Sequence, residues 1–65
     1  MTTGILLNLI NNRNTTRDAL AHAYADGIAA DRPPNWAVVN RLIMARWSPS
    51  GLEYIKRKAW KIIKT

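Results

Sequence analysis

The stretch Ala45-Arg46-Trp47-Ser48-Pro49-Ser50-Gly51-Leu52 decides how this chain folds. A proline disfavours helical geometry in the residue before it, so a helix arriving from the N-terminal side must stop at Trp47. Ser48 is a good N-cap, and Pro49 suits the first position of a new helix. The two residues predict one helix over 36–47 and another over 49–64. In the second, Leu52, Ile55, Ala59, Ile62 and Ile63 share one face. Arg57, Lys58, Lys61 and Lys64 lie opposite, with Glu53 and Tyr54 at the N-terminal end of that face. Lys56 and Trp60 share a flank. The cations crowd the C-terminal half, where the helix dipole favours positive charge.

Working back from the break, the 36–47 segment is apolar almost all round: Trp36, Val38, Val39, Leu42, Ile43, Met44, Ala45 and Trp47, with Arg41 on its most polar side. That pattern predicts the central, most buried helix. Arg32-Pro33-Pro34 marks the boundary before it, and Asn35 can cap it. A helix over about 16–30 precedes that boundary. It starts at Thr15 or Thr16, where Thr15 and Asp18 have the spacing of an imperfect capping box. Leu20, Ala23, Tyr24, Gly27 and Ile28 are its expected inner face. A glycine within a helix costs about 1 kcal/mol relative to alanine, so Gly27 predicts a close packing contact or a nearby helix end. Asn11-Asn12-Arg13-Asn14 breaks the chain again. Before it, Ile5, Leu6, Leu9 and Ile10 predict a short helix over 4–11, with Thr3 as its cap. The expected fold is all-α: one domain over 1–65, a small bundle of three principal helices with a short N-terminal one.

Composition narrows the function. The chain has 65 residues and no cysteine, which excludes disulfides and thiolate metal sites. The longest apolar run near the N-terminus, Ile5-Leu6-Leu7, ends at Asn8, too short for a membrane span. The cytoplasm is the expected location, without integral membrane association. The net charge of +6 is unevenly placed: residues 1–31 carry two arginines against three aspartates, and residues 32–65 carry eight basic residues against Glu53 alone. One half is therefore near −1 and the other near +7. Such asymmetry points to a polyanionic partner or an anionic surface.

Catalysis finds little support. His22 is the only histidine, and Asp18, His22 and Asp26 are spaced four apart on one helix face. Two carboxylates and an imidazole on one helix leave a metal mostly hydrated, so a solvated polar face is the expectation. There is no glycine-rich phosphate loop, and the sequence offers no spacing from which a nucleophile–base–orienter set can be proposed. No enzyme activity, cofactor or metal site is expected.

The segment 40–58 resembles the helix-turn-helix of many DNA-binding proteins. Those motifs often enter their second helix through Ser-Pro-Ser, as at Ser48-Pro49-Ser50 here, and Ala45, Trp47, Leu52 and Ile55 match its apolar positions. Arg46 stands where the turn usually has glycine, and Arg41 occupies an apolar position of the first helix. The resemblance implies nucleic-acid binding, with double-stranded DNA favoured. Ser50, Gly51, Glu53, Tyr54 and Arg57 would face base edges, and Lys58, Lys61, Lys64 and Arg46 would meet phosphate. Two other classes stay open. An exposed Trp60 beside Lys56 would anchor a protein partner or a homodimer, as in a small inhibitor or adaptor. A lysine-rich helix with Trp and Ile also fits an anionic membrane surface, ranked third.

Overall fold

The computed structural model describes the backbone of residues 2–64 and the side chains of residues 4–64. Three α-helices follow in order: α1, Thr2–Asn11; α2, Arg17–Ala29; and α3, Trp36–Lys64. The described residues form a small all-α bundle. Its radius of gyration is 10.6 Å, close to the roughly 10.7 Å expected of a compact chain of this length.

Helix α3 is two helices in one. Ser48 has φ 72° and ψ 168°, outside helical space, and divides α3 into a first arm (36–47) and a second arm (49–64). Pro49 forces the extended ψ. The positive φ belongs to a region that only glycine occupies freely, at a cost of about 1–3 kcal/mol for serine. The break stands at the predicted residue, but its form is unusual. Ser48 and Ser50 join their hydroxyls at 2.9 Å.

In α1, Leu6 and Ile10 are buried one turn apart, with Leu9 half-buried against the same core. Ile5, expected on that face, is exposed. Thr3 lies inside the helix rather than at its cap, because α1 begins at Thr2. The helix ends where the asparagines begin: the Asn12 N–H donates to Leu9 O, and the Asn14 N–H donates to Asn12 Oδ1. Helix α2 is capped by Thr16, whose Oγ1 accepts from the Ala19 N–H at 3.1 Å. The cap is thus Thr16, and Thr15 is buried. The inner face of α2 is Leu20, Ala21, Tyr24, Ala25 and Gly27. It is turned toward Ala21 and Ala25 relative to expectation, leaving Ala23 and Ile28 half-buried.

The first arm of α3 is not the most buried element. Val39 and Ile43 are wholly buried, but Val38 and Met44 are exposed, and so are Ala37 and Ala45. In a three-helix bundle this small, a helix is covered on one side only, so an all-round apolar pattern leaves apolar residues in water. Tyr24 docks α2 onto this arm: its hydroxyl donates to Asn40 Oδ1 at 2.8 Å, and its ring meets that of Trp36 with centroids 4.5 Å apart. Burial pushes the Tyr24 phenol above its ordinary pKa. In the second arm Leu52, Ile55 and Ala59 are buried and Ile62 is half-buried, as the pattern predicts, while Ile63 emerges into solvent.

Candidate functional site

The second arm turns its apolar stripe into the bundle, so the opposite stripe must face outward. Ser50, Glu53, Tyr54, Arg57, Lys58 and Lys61 line one open groove there, of about 650 Å³. These residues belong to a single helix and are spaced three or four apart. The groove is the space between side chains splayed from one surface, not an enclosed pocket. A second groove continues around the helix along Glu53, Lys56, Arg57, Trp60, Lys61 and Lys64. The two share Glu53, Arg57 and Lys61. Together they carry five cations and Glu53.

The carboxylates on and beside this surface are placed specifically. Glu53 Oε1 lies 3.7 Å from Arg57 Nε, one turn away, with both side chains well exposed. Asp18, from the first turn of α2, reaches across to the second arm. It accepts from the Tyr54 hydroxyl at 2.6 Å and pairs with Lys58 Nζ at 3.0 Å. The Arg17 guanidinium lies 5.1 Å from the centre of the Tyr54 ring. The Tyr54 hydrogen bond, then that of Lys58, hold the Asp18 carboxyl below its ordinary pKa. The same bonds raise the Tyr54 phenol and the Lys58 ammonium above theirs. At neutral pH, Asp18 is therefore anionic, Lys58 cationic and Tyr54 a neutral donor. Lys56, Lys61 and Lys64 have no carboxylate within ion-pairing distance among the described residues.

Two expected members of the surface are elsewhere. Arg46 faces inward across the α1–α2 junction. Its Nη1 donates to the carbonyls of Ile10 at 2.6 Å and Asn12 at 2.8 Å, with Leu9 at 3.4 Å. Its Nη2 donates to those of Arg13 at 3.1 Å and Thr15 at 2.9 Å. The last carbonyls of a helix have no partner within it, and a planar fork of N–H donors suits them. The same guanidinium covers the Trp47 ring at 4.2 Å. Arg46 thus holds the end of α1 and the connecting loop, and is not offered to phosphate. Gly51, expected to face base edges, is buried. A methyl group there would collide with Trp47 Cβ, so glycine is required where the two arms meet.

The remaining candidates are accessible: Ser50, Tyr54, Arg57, Lys61 and Lys64 are exposed, with Lys56 and Lys58 half-buried. Trp60 is 49% exposed. Asp18, His22 and Asp26 are all exposed. Among the described residues no group of three or more His, Asp or Glu side chains is placed to hold a metal ion. Among the described residues no helix is long and apolar enough to cross a membrane. Sequence reasoning missed Asp18 and Arg17 as neighbours of the basic surface, because Asp18 meets Tyr54 across 36 positions of chain. The only local signal is the acidic residue in the first turn of α2, which its helix dipole explains equally well.

No protein family, curated protein or solved structure matches this chain. The functional reading therefore rests on the chemistry of the surface.

Proposed function

We propose that this protein is a small, non-enzymatic nucleic-acid-binding domain that uses the outward face of the second arm, with double-stranded DNA as the favoured ligand. One observation carries the reading. Five cations, Lys56, Arg57, Lys58, Lys61 and Lys64, stand on one helix against two carboxylates, Glu53 and Asp18. Fixed surface charge of one sign attracts a polyanion, and phosphate contacts release the counterions condensed on it. The charges of Lys56, Lys61 and Lys64 are not offset by a carboxylate within ion-pairing distance among the described residues. Ser50 and Tyr54, at the N-terminal end of the surface, supply hydroxyls that can reach base edges or sugar.

The helix-turn-helix resemblance supplies a docking geometry, with the second arm in a major groove. Here the arms join through the single non-helical residue Ser48, which is tighter than the three- or four-residue turn of that motif. The proposal therefore leans on the charged surface more than on the turn. Four phosphate contacts, from Arg57, Lys58, Lys61 and Lys64, correspond to a log–log salt slope near −3.6. A gel-shift titration against random-sequence duplex tests the reading. A salt-sensitive shift is expected, and no shift at about 50 mM salt, where the electrostatic attraction is strong, overturns it.

The exposure of Trp60 favours a second reading, an interaction module anchored by that residue. Its test is the loss of a dimer or captured protein in Trp60→Ala, read by sedimentation or pull-down in the presence of nuclease.

A further inference from the structure

We infer that Trp60 is a stacking platform for an unpaired nucleobase of a single strand held on the neighbouring cations; the inference rests on the proposed nucleic-acid binding and adds a single-stranded ligand to the duplex. Trp60 is half exposed, so a large, flat aromatic face is open to a ligand. Its two surroundings differ. On one side it lines the cationic groove with Lys56, Arg57, Lys61 and Lys64, where Glu53 is the one carboxylate. On the other it closes a smaller groove of about 250 Å³ with Tyr24, Ile28, Trp36 and Lys56. Lys56 belongs to both grooves, so a positive charge stands at the point where a strand's backbone would pass and its base turn inward.

Aromatic faces beside a basic track are how proteins hold single strands without reading sequence, because every base has a π-face. The charge complementarity selects this occupant over an uncharged apolar partner. A membrane surface fits less well. An interfacial helix lays a broad apolar stripe into the lipid, whereas Leu52, Ile55 and Ala59 of this helix are sealed in the bundle.

Fluorescence anisotropy with the whole protein tests the inference, using end-labelled oligothymidylate and a blunt duplex of equal length. The variants are Trp60→Ala and Trp60→Phe, with helical content checked by circular dichroism. Trp60→Ala is expected to weaken oligothymidylate binding by about tenfold, to weaken blunt-duplex binding much less, and to keep the salt slope, since no cation is removed. Trp60→Phe is expected to keep most of the affinity, because it keeps a ring. Unchanged oligothymidylate binding in Trp60→Ala overturns this inference and leaves the proposed function standing, as does an equal loss on both ligands. Wild-type protein that binds neither strand nor duplex at low salt overturns both. Wild-type protein that binds only vesicles containing phosphatidylserine, or only polyglutamate, reassigns the surface to lipid or to acidic protein and overturns both as well.

Discussion

The two arms of α3 carry the same kind of residue and use it in opposite ways. Before Ser48, Arg46 points into the molecule and is consumed by main-chain carbonyls from Leu9 to Thr15. After Ser48, the cations point out, and only two of the five have a carboxylate partner among the described residues. A positive charge is thus a stabilising group in one arm and a surface offered to a ligand in the other. What separates them is geometry at one residue: the turn at Ser48 aims the end of the first arm at the α1–α2 loop and frees the face of the second. Charge counted along the sequence does not distinguish these uses, and a count of +7 overstates the available surface.

The sharpest way to break the comparison is Arg46→Met, which keeps the bulk and removes the donors. Hydrogen bonds from a charged group to half-buried carbonyls contribute more than neutral ones, so a loss of about 2–3 kcal/mol is expected in urea unfolding. That is most of the stability such a small core supplies. Arg46→Lys should recover less than half, since an ammonium cannot span that arc of carbonyls. Gly51→Ala comes next. Alanine normally helps a helix, but here its methyl group meets Trp47 Cβ, the carbon that carries the ring covered by Arg46. A net loss of about 1–2 kcal/mol is expected, because the crowding outweighs the propensity gain. Ser48→Gly should move the other way, gaining about 1 kcal/mol by relieving the positive φ. No gain would mean that the hydroxyl contact with Ser50 outweighs the strain.

A smaller change in stability is expected for Asp18→Asn, which acts on the exposed contact between α2 and the second arm. Its consequences lie in pH and binding. The carboxyl's pKa is depressed in the folded state, so its stabilising effect is present above the ordinary carboxylate range, near pH 4, and fades as pH falls below it. Tyr54 and Lys58 are raised, so theirs is present below about pH 10 and fades as pH rises further. The difference between variant and wild type should therefore be flat through neutrality and shrink at both extremes in denaturation across pH. The same variant removes a negative charge beside Lys58, and tighter duplex binding is expected by gel shift.

Much of the fold was legible because it is local. Ser48-Pro49, Arg32-Pro33-Pro34 and the run of asparagines each act on their own backbone, and each marks a real boundary. The face of the second arm was also legible, since its apolar period is clean. The first arm was misread because a pattern that is apolar all round does not say which side is covered. Only the packing of α1 and α2 decides that Val39 and Ile43 are inside and Val38 and Met44 are not. Arg46 and Gly51 were misplaced for a related reason. Arg46 meets carbonyls 31 to 37 positions away, and Gly51 meets Trp47 across a break whose φ no local pattern predicts. Among the surface residues, exposure followed from helical phase, but the pairing of Lys58 with Asp18 required the tertiary fold.

The division of labour between the arms is tested most directly by the salt dependence of duplex binding in wild type and in the Lys61→Glu/Lys64→Glu double variant. Both positions are exposed, so stability should change by no more than about 0.5 kcal/mol. The wild-type log–log slope should lie near −3.6 and fall toward −1.8 in the variant as two phosphate contacts are lost, with a large drop in affinity at low salt. Equal slopes and equal affinities for the two proteins would contradict the assignment of the second arm as the ligand-binding surface.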